Sequence, residues 1–304
     1  MKTMCVAHLV RASNGPEPLR RFLASYRRHA AGVPHRLLII FKGFRGRTPG
    51  PEYESVLGEV PHERLFLRDF GFDIRPYFVA ARKTRFDFYC FLNSFSVILD
   101  DGWLAKLAKH MGDEARDLVG ATGSWISHQT VMLNDPDVGK YLQVGARKVR
   151  LPPLLSSVAR VKWLGDARRH FEPFPNAHMR TTCFLVSRHS FLECAPGQLL
   201  LKIDALKFES GRSGLSARFK ASGGRLLVVG RDGKCYPERE WAASNTFWHR
   251  DQENLLVADN QTSMYHSGDA ATRARLSALA WGNEARPSAP AAPGRAPARN
   301  GATR

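Results

Sequence analysis

The sequence predicts an α/β protein with a mainly parallel sheet and helices on both of its faces. Through residues 4–111, short apolar runs of strand length alternate with segments whose apolar residues recur at helical spacing. Glycine and proline residues separate these segments, as they do at the ends of strands and helices. Strands that alternate with helices in this way pair in parallel, because each helix carries the chain back across the sheet.

Four strand–helix units account for the first part of the chain. In the first, a buried strand at 4–10 is followed by a helix at 17–30, in which Leu19, Phe22 and Leu23 share one side. The same order is predicted three more times, with strands at 36–42, 64–68 and 86–92 and helices at 51–58, 75–83 and 103–111.

The second part of the chain is less regular. It predicts strands at 118–127, 180–187 and 225–230, helices at 135–146, 188–193 and 204–222, and an extended excursion over 150–177, where several prolines occur. We assign residues 1–283 to one domain. Residues 284–304 are rich in proline, alanine and arginine and have no apolar periodicity, so we expect this tail to be disordered.

Net charge narrows the classes of function. The 304 residues include 45 Lys and Arg against 28 Asp and Glu, which gives a formal net charge of +17. Such a charge suits nucleic acid, an anionic membrane surface or a phosphate-bearing substrate. The basic residues are spread along the chain and no nucleic-acid-binding motif is evident. A nucleic-acid-binding protein is therefore a second alternative only, and no nucleic acid partner is expected.

The cysteines and the lengths of the apolar runs indicate where in the cell the protein is located. The five cysteines are odd in number and widely spaced, without a C-x-x-C pair, which indicates reduced, buried thiols. No apolar run reaches the length of about 18 residues that a membrane span needs. The N-terminus lacks the apolar region of a signal peptide. We expect a cytoplasmic protein whose basic surface makes peripheral contact with the anionic inner face of the membrane.

Polar and basic residues follow the predicted strands at the point where each strand ends. Because a parallel sheet binds its ligand at the carboxyl ends of its strands, these residues are candidates for a binding site. They are Arg11, Ser13 and Asn14 after the first strand, Lys42 after the second, Asp73 and Arg75 after the third, and Asn93, Ser94 and Ser96 after the fourth. The alternative for Asp73 is that it caps the following helix.

Three segments resemble a known family in their order along the chain. The stretch RDFGFDIRPYFVAARKTRFDFYCFLNSFSVILDDGWLAKL is similar to the nucleotide-sugar half of bacterial GT-A-type glycosyltransferases of polysaccharide assembly, which are family 2-like. Those proteins carry G-x-D-I/L-G-A/P-Y/F, then a strand ending in L-N-S-D-S, then a G-W-L helix start. The segments NAHMRTTCFLVSRHSFL and KIDALKFESGRSGLSARFKASGGRLLVVGRDGKCY resemble the acceptor-side strand and the late segment. The resemblance spans roughly residues 4–265 and implies a GT-A-like, Rossmann-like fold.

The resemblance implies a nucleoside-diphosphate sugar as donor, bound by the strand-end residues above, and Mn²⁺ or Mg²⁺ as cofactor. A divalent cation bridges the diphosphate and needs oxygen ligands. Phe95 stands where the family has an acidic residue. The candidate ligands that remain are Ser96, Asp101 and His249, although Asp100 and Asp101 are also suited to cap the helix at 103–111. Metal independence, with basic side chains neutralising the diphosphate, is the other interpretation.

The resemblance also implies a general base in the late segment. Asp204 is the candidate and Glu209 the alternative, while Trp125, His178 and Arg180 are the acceptor-side candidates. Trp241, Phe247 and Trp248 are suited to stack on sugar rings, with packing in the core as the alternative. The expected function is sugar transfer to a cell-surface glycan or lipid-linked acceptor. Its first alternative is a catalytically impaired relative that only binds a nucleotide sugar or glycan.

Overall fold

The computed structural model of the chain describes residues 2–71, 74–112, 114–144, 147–197 and 202–282. Side chains are described for all of these residues except 142–144, 147, 148 and 202. The predicted tail at 284–304 and the donor-side candidate Asp73 lie outside the described residues.

The strands of the described ranges are β1 (Met4–Arg11), β2 (Arg36–Lys42), β3 (Glu63–Leu67), β4 (Phe88–Leu92), β5 (Val97–Ile98), β6 (Leu118–Gly120), β7 (Gly123–Ser124), β8 (Tyr141–Val144), β9 (Arg147–Arg150), β10 (His178–Met179), β11 (Cys183–Ser187), β12 (Leu226–Val229), β13 (Cys235–Pro237) and β14 (Val257–Ala258). The helices are α1 (Glu17–Arg28), α2 (Pro51–Leu57), α3 (Ile74–Lys83), α4 (Trp103–Ala108), α5 (His128–Asn134), α6 (Pro153–His170), α7 (Arg188–Glu193), α8 (Lys202–Ser210), α9 (Leu215–Ala221), α10 (Asn260–His266) and α11 (Ala270–Trp281).

Eight strands form the central sheet in the order β13-β12-β6-β11-β4-β1-β2-β3. The half made of β4, β1, β2 and β3 is entirely parallel, as the strand–helix alternation predicts. The other half is mixed, because β11 runs antiparallel to both β4 and β6, while β12 is parallel to β6. The expected fold class, an α/β protein with a mainly parallel sheet, is confirmed.

Helices cover both faces of this sheet, and each face has its own apolar core. Alternate residues of β1 point to opposite faces, so Val6 packs in one core and Ala7 in the other. Helices α1, α2 and α4 cover the Val6 face, to which α4 contributes the fully buried Trp103. Helices α3, α7, α8, α9 and α11 cover the Ala7 face with aromatic side chains such as Phe78 and Phe191, whose rings stack 4.2 Å apart.

The prediction of an extended excursion over 150–177 is wrong, because helix α6 occupies Pro153–His170. The prolines that suggested an extended chain lie around this helix and not inside it. Pro152 and Pro153 stand at its start, where the missing N–H has no intrahelical partner to lose. Pro173 follows its end.

Three other element predictions also need correction. The helix lies at His128–Asn134 and not at 135–146, since Ser127 caps its start and Pro136 follows its end. The helix predicted at 204–222 is two helices separated at Gly211 to Gly214, where an added Cβ at Gly214 would lie 2.6 Å from the carbonyl oxygen of Phe208. The strand predicted at 118–127 is the pair β6 and β7.

The five cysteines are free, as predicted, and all except Cys235 are buried. The sulfurs of Cys90 and Cys183 lie 3.6 Å apart between the neighbouring strands β4 and β11. Within the described ranges, no helix is both long and apolar enough to cross a membrane.

Candidate functional site

The carboxyl ends of the parallel strands meet the beginning of β11 at one edge of the sheet. The chain moves from β1 outward to β2 and β3, then returns to β4 on the other side of β1. Such a reversal of strand order opens a crevice at the carboxyl ends, where α/β proteins bind their ligands. The backbone N–H of Asn93, just after β4, donates to the carbonyl oxygen of Thr182, just before β11, at 3.1 Å.

The Asn93 side chain is fully engaged inside the protein. Its Oδ1 accepts from the backbone N–H of Phe95 at 2.9 Å and lies 3.2 Å from the Ser96 hydroxyl. Its Nδ2 donates to Asp259 Oδ2 at 3.1 Å. The Ser96 hydroxyl is completely buried and also lies 2.9 Å from the Thr182 carbonyl oxygen. Asn93 and Ser96 therefore stabilise the turn after β4 and do not present an open set of oxygen ligands.

The two residues between them differ in exposure. Ser94 is buried, and its hydroxyl has no hydrogen-bond partner among the described residues. Phe95 is 39% exposed, which makes it one of the more exposed large apolar side chains of the described chain. The exposed side chain of the turn after β4 is thus an aromatic ring.

Asp259 connects this turn to a helix that comes much later in the sequence. Its Oδ2 accepts from Asn93 and, at 2.7 Å, from the Thr182 hydroxyl. Its Oδ1 accepts from the backbone N–H groups of Gln261 and Thr262, both at 3.0 Å, in a capping box at the start of α10. With four donors and 3% exposure, this carboxylate is a buried structural acceptor.

Three consecutive residues before β11 contact three later segments of the chain. The guanidinium of Arg180 lies over the Phe247 ring, 4.8 Å from its centroid. The Thr181 hydroxyl donates to Glu209 Oε1 at 3.3 Å, and the Thr182 hydroxyl donates to Asp259. Residues Arg180 to Thr182, the entry to β11, therefore connect the turn after β4 to α8, to the start of α10 and to the loop before β14.

The two candidate bases stand at different places on α8. Asp204 lies in its first turn and Glu209 next to its last residue. Glu209 contacts Thr181 and also lines a cavity of about 220 Å³ together with His178, Asn176 and Arg212. Glu209 is the alternative candidate for the base. Its contact with Thr181, just before β11, brings its carboxylate to the edge of the sheet where Asn93 lies.

The donor-side candidates line the other strands of the same edge. Lys42 is 1% exposed, donates to the carbonyl oxygen of Gly71, and its Nζ lies 3.5 Å from Asp69 Oδ1. Lys42 therefore holds the turn after β3. Arg75 places its guanidinium 4.9 Å from the centroid of the exposed Phe70 ring.

Arg11, Ser13 and Asn14 follow β1 in the expected place, the last two in a 3₁₀ turn. Ser13 is exposed. The side-chain nitrogen of Asn14 is buried and has no hydrogen-bond partner among the described residues. A buried amide without a partner is a donor available to a ligand.

Two of the acceptor-side candidates are part of the core structure. His178 is 4% exposed, its Nδ1 lies 2.9 Å from the Asn176 carbonyl oxygen and its Nε2 3.3 Å from the Ser124 hydroxyl. Burial, with a further effect of nearby Arg180, lowers the pKa of His178 to about 3, so this imidazole is neutral. Trp125 donates through Nε1 to the Glu238 carbonyl oxygen and packs edge-on against Trp281.

The loop before β14 has an unusual backbone. Asn245, Trp248, Arg250 and Gln252 all have positive φ angles, between 44° and 54°, which non-glycine residues seldom adopt. Side-chain hydrogen bonds hold the loop, since Trp248 Nε1 donates to the Gln261 carbonyl oxygen and Gln252 Nε2 to that of Thr262.

The aromatic residues of this region are buried and not available as sugar platforms. Trp241 and Phe247 are fully buried and Trp248 is 6% exposed, so packing in the core, the alternative interpretation, is the correct one. Phe247 and Trp248 stack 4.6 Å apart. Of these rings, Phe247 contacts the guanidinium of Arg180.

The predicted metal ligands do not converge. Ser96 is engaged by Asn93 and Thr182, whereas Asp101 accepts from the backbone N–H of Ala30 at 2.9 Å. His249 is buried in the strained loop, and burial, followed by the charge of Arg250, lowers its pKa. Within the described ranges, no three His, Cys, Asp or Glu residues form a group able to hold a metal ion. The described residues therefore do not fit a Mn²⁺ or Mg²⁺ site of the expected kind.

The capping role considered for Asp100 and Asp101 is wrong. The residue at the start of α4 is Gly102, in a left-handed conformation and without a side-chain cap. Asp100 pairs with Lys106 instead, and the pKa of Asp100 is lowered by the hydrogen bond from Lys106.

Sequence reasoning missed Thr181, Thr182 and Asp259. The two threonines lie inside a segment that reads as a strand, and their partners are 28 and 77 positions away. A local signal existed for Asp259, since Asp at position 259 and Thr at 262 have the spacing of a capping box. Nothing local indicates that its second oxygen serves the turn after β4.

Comparison with known proteins gives similarities of fold. No protein-family model and no curated protein matches the chain. Among solved structures it is similar to the mannosyltransferase PcManGT from Pyrobaculum calidifontis in complex with GDP-Man and Mn²⁺, with 9% identity over 81% of this chain and 61% of that one and a TM-score of 0.45. It is also similar to GalNAc-T7 with UDP, GalNAc and Mn²⁺, with 14% identity over 75% of this chain and 41% of that one and a TM-score of 0.44.

A third similarity, to S. aureus TarS residues 1–349, has 18% identity over 39% of this chain and a TM-score of 0.30. The match spans about a third of that chain, 34% of its length. These matches are similarities of fold alone. What the site does is therefore inferred from its own contacts.

Proposed function

We propose that the protein transfers a sugar from a nucleoside-diphosphate sugar to a cell-surface glycan or a lipid-linked acceptor. The observation that carries this proposal is the convergence at the entry to β11, where Thr181 contacts Glu209 and Thr182 contacts Asp259 beside the strand-four turn. A carboxylate close to the carboxyl ends of the strands, where a parallel sheet binds its ligand, supports the proposal.

The donor lies along the carboxyl ends of β1, β2 and β3 in this proposal. Arg11 and Arg75 are the cations that neutralise the diphosphate, and the unpartnered amide of Asn14 supplies a further hydrogen bond. Lys42 does not contact the donor in this proposal. It is buried and holds the turn from Asp69 to Gly71 in place. Asp73, outside the described residues, remains a candidate for the ribose or base.

Glu209 is the proposed general base, with Asp204 as the alternative. The carboxylate takes the proton of the acceptor hydroxyl as that oxygen bonds to the anomeric carbon. The bond from the anomeric carbon to the diphosphate oxygen breaks in the same step, and the electron pair leaves with the nucleoside diphosphate. The donor-side arginines stabilise the charge that develops there. Thr181 orients Glu209 through its hydrogen bond.

We propose that this reaction is independent of Mn²⁺ and Mg²⁺. Ser96 and His249, two of the expected ligands, are buried, and the Ser96 hydroxyl is bonded to the Thr182 carbonyl oxygen. The third, Asp101, accepts from the backbone N–H of Ala30, and Phe95 supplies no ligand. Guanidinium groups can neutralise a diphosphate with bidentate hydrogen bonds.

A second candidate function is nucleotide-sugar or glycan binding without turnover. The observation that favours it is the exposed Phe95 ring, in a turn whose neighbouring polar side chains are used internally. A nucleic-acid-binding role rests on net charge alone and ranks below both.

The test is calorimetric titration of the purified chain with UDP- and GDP-sugars, in Mn²⁺ and in EDTA, followed by measurement of nucleoside-diphosphate release with glycan and lipid-linked acceptors. The proposal expects binding of one donor with the same affinity in both solutions, and release that depends on an acceptor. Binding without release would favour the second candidate. Absence of binding to every nucleotide sugar would overturn both.

A further inference from the structure

The segment from Lys140 to His170 concentrates exposed apolar side chains. Of the eleven large apolar side chains that are exposed in the described residues, seven belong to it: Tyr141, Val149, Leu154, Leu155, Val158, Val161 and Trp163. Leu154 and Val161 are 77% and 73% exposed. Apolar residues scattered singly over a surface are ordinary, whereas a concentration of this kind marks an interaction site.

The geometry of α6 places most of these side chains on one side. Leu154, Val158 and Val161 follow one another at intervals of four and three positions, which is the spacing of a single helical face. Leu155 borders that face. The one residue of α6 that is buried is Ala167, near its end, so the first three turns contribute no buried side chain to the core.

Positive charge accompanies the apolar side chains. Between residues 140 and 170 the sequence has eight Lys and Arg and one acidic residue, Asp166. Lys162 and Arg169 follow Leu155 by seven and fourteen positions, which continues its side of the helix, and both are exposed. The helix thus presents apolar side chains in its first half and basic ones in its second half on a shared side.

We propose that this surface, the exposed side of α6 with Tyr141 and Val149 of the preceding strands, docks on an anionic lipid bilayer. Apolar side chains enter the headgroup region while lysine and arginine side chains meet acidic headgroups. Tyr141 is of an aromatic type that favours the boundary between lipid and water. A second copy of the chain is disfavoured as the occupant, because it would bring two strongly basic surfaces together.

The docking surface adjoins the proposed acceptor side. The chain leaves α6 at Phe171, which pairs with Gly211, and the backbone N–H of Arg212 donates to the carbonyl oxygen of His170 at 2.8 Å. Gly211 is two residues after Glu209. Docking through α6 therefore holds the helix that carries the proposed base close to the bilayer, from which a lipid-linked acceptor enters. This last step rests on the proposed function, but docking itself does not.

The experiment is flotation of the full chain with vesicles of phosphatidylcholine alone or mixed with phosphatidylglycerol. We expect retention on the mixed vesicles only. The triple variant Leu154→Glu, Val158→Glu and Val161→Glu should lose it, whereas Met264→Glu, an exposed apolar residue on α10, should retain it. The double variant Lys162→Ala and Arg169→Ala should bind about 25-fold more weakly, at about fivefold for each basic residue near the surface.

A second readout keeps the result independent of how well the variants fold. Brominated lipids should quench a Val158→Trp variant, whose new indole lies on the docking face, more strongly than the wild-type chain, whose Trp163 lies on the opposite side of α6 from Leu154. Equal retention on both kinds of vesicle, or unchanged retention of the triple variant, would overturn the proposal. So would a wild-type dimer that the triple variant converts to a monomer, since the surface would then join two copies. Donor titration without lipid reports on the proposed function separately.

Discussion

The Asn93 amide donates to the Asp259 carboxylate at 3.1 Å, across 166 positions of the sequence. This bond joins the turn that ends the fourth parallel strand to the first turn of α10. The same carboxylate also accepts from Thr182 and from two backbone N–H groups. One buried side chain thereby fixes three elements around the edge of the sheet.

Replacement of Asp259 by alanine should lower the free energy of unfolding by about 2–4 kcal/mol. The loss combines a helix cap, which contributes about 1 kcal/mol, with the cost of leaving the buried donors of Asn93 and Thr182 unpaired. Urea unfolding followed by circular dichroism measures it. Asp269→Ala, which removes the exposed cap of α11, is the matched control and should cost less. An equal loss in both variants would contradict the joining role of Asp259.

Glu209→Gln should reduce kcat by about 10²- to 10⁴-fold with little change in the donor KM, because the amide cannot accept the proton of the acceptor hydroxyl. The amide oxygen can still accept the hydrogen bond from Thr181, so the local structure is preserved. Steady-state assays of nucleoside-diphosphate release measure the effect. Asp204→Asn is the control. If that variant loses activity and Glu209→Gln retains it, Asp204 is the base.

Phe95→Asp should make binding of the donor sensitive to Mn²⁺. The new carboxylate is exposed, and the donor diphosphate can supply further oxygen ligands to a cation beside it. Calorimetry should show tighter donor binding with Mn²⁺ than with EDTA for this variant and no difference for the wild-type chain. Phe95→Asn, polar but uncharged, is the control. Metal-sensitive binding by the wild-type chain would contradict the proposed metal independence.

The stability of the protein should fall as pH decreases below 6.5. His8 is completely buried, its ring stacks on Phe22 at 3.8 Å, and neither ring nitrogen has a partner among the described residues. Burial lowers its pKa from 6.5 to about 3, so the imidazole is neutral when folded and gains a proton on unfolding. The stabilisation is complete above pH 6.5 and decreases toward pH 3, by up to about 1.4 kcal/mol per pH unit.

His8→Leu should flatten this pH dependence, because leucine has no proton to gain. His178, with the same low pKa, and other histidines with a lowered pKa, such as His249, contribute to the slope that remains. Urea unfolding at a series of pH values measures the slope. His189→Leu, at a highly exposed position, is the control and should leave the slope unchanged. A slope that is identical in the His8 variant and the wild-type chain would exclude His8 as a source.

The parallel half of the sheet was predictable because its signals are local. The apolar runs at β1, β2, β3 and β4 and the helical spacing between them determine those elements without long-range information. Helix α6 was not predicted, because the prolines on either side of it suggested an extended chain, although its apolar residues have helical spacing. The candidate residues at the strand ends do share one edge of the sheet, as the strand order predicts. Its central contacts join residues such as Asn93 and Asp259, whose proximity only the folded chain creates.

The distribution of the five thiols makes the unmodified chain suitable for site-specific labelling. Cys5, Cys90, Cys183 and Cys194 are shielded from solvent, whereas Cys235 is half-buried on β13, at the end of the sheet opposite β3. A maleimide dye should therefore react at Cys235 first. Energy transfer from that dye to a lipid-bound acceptor dye would then report how far β13 stands from a bilayer, and so how the sheet is oriented upon it.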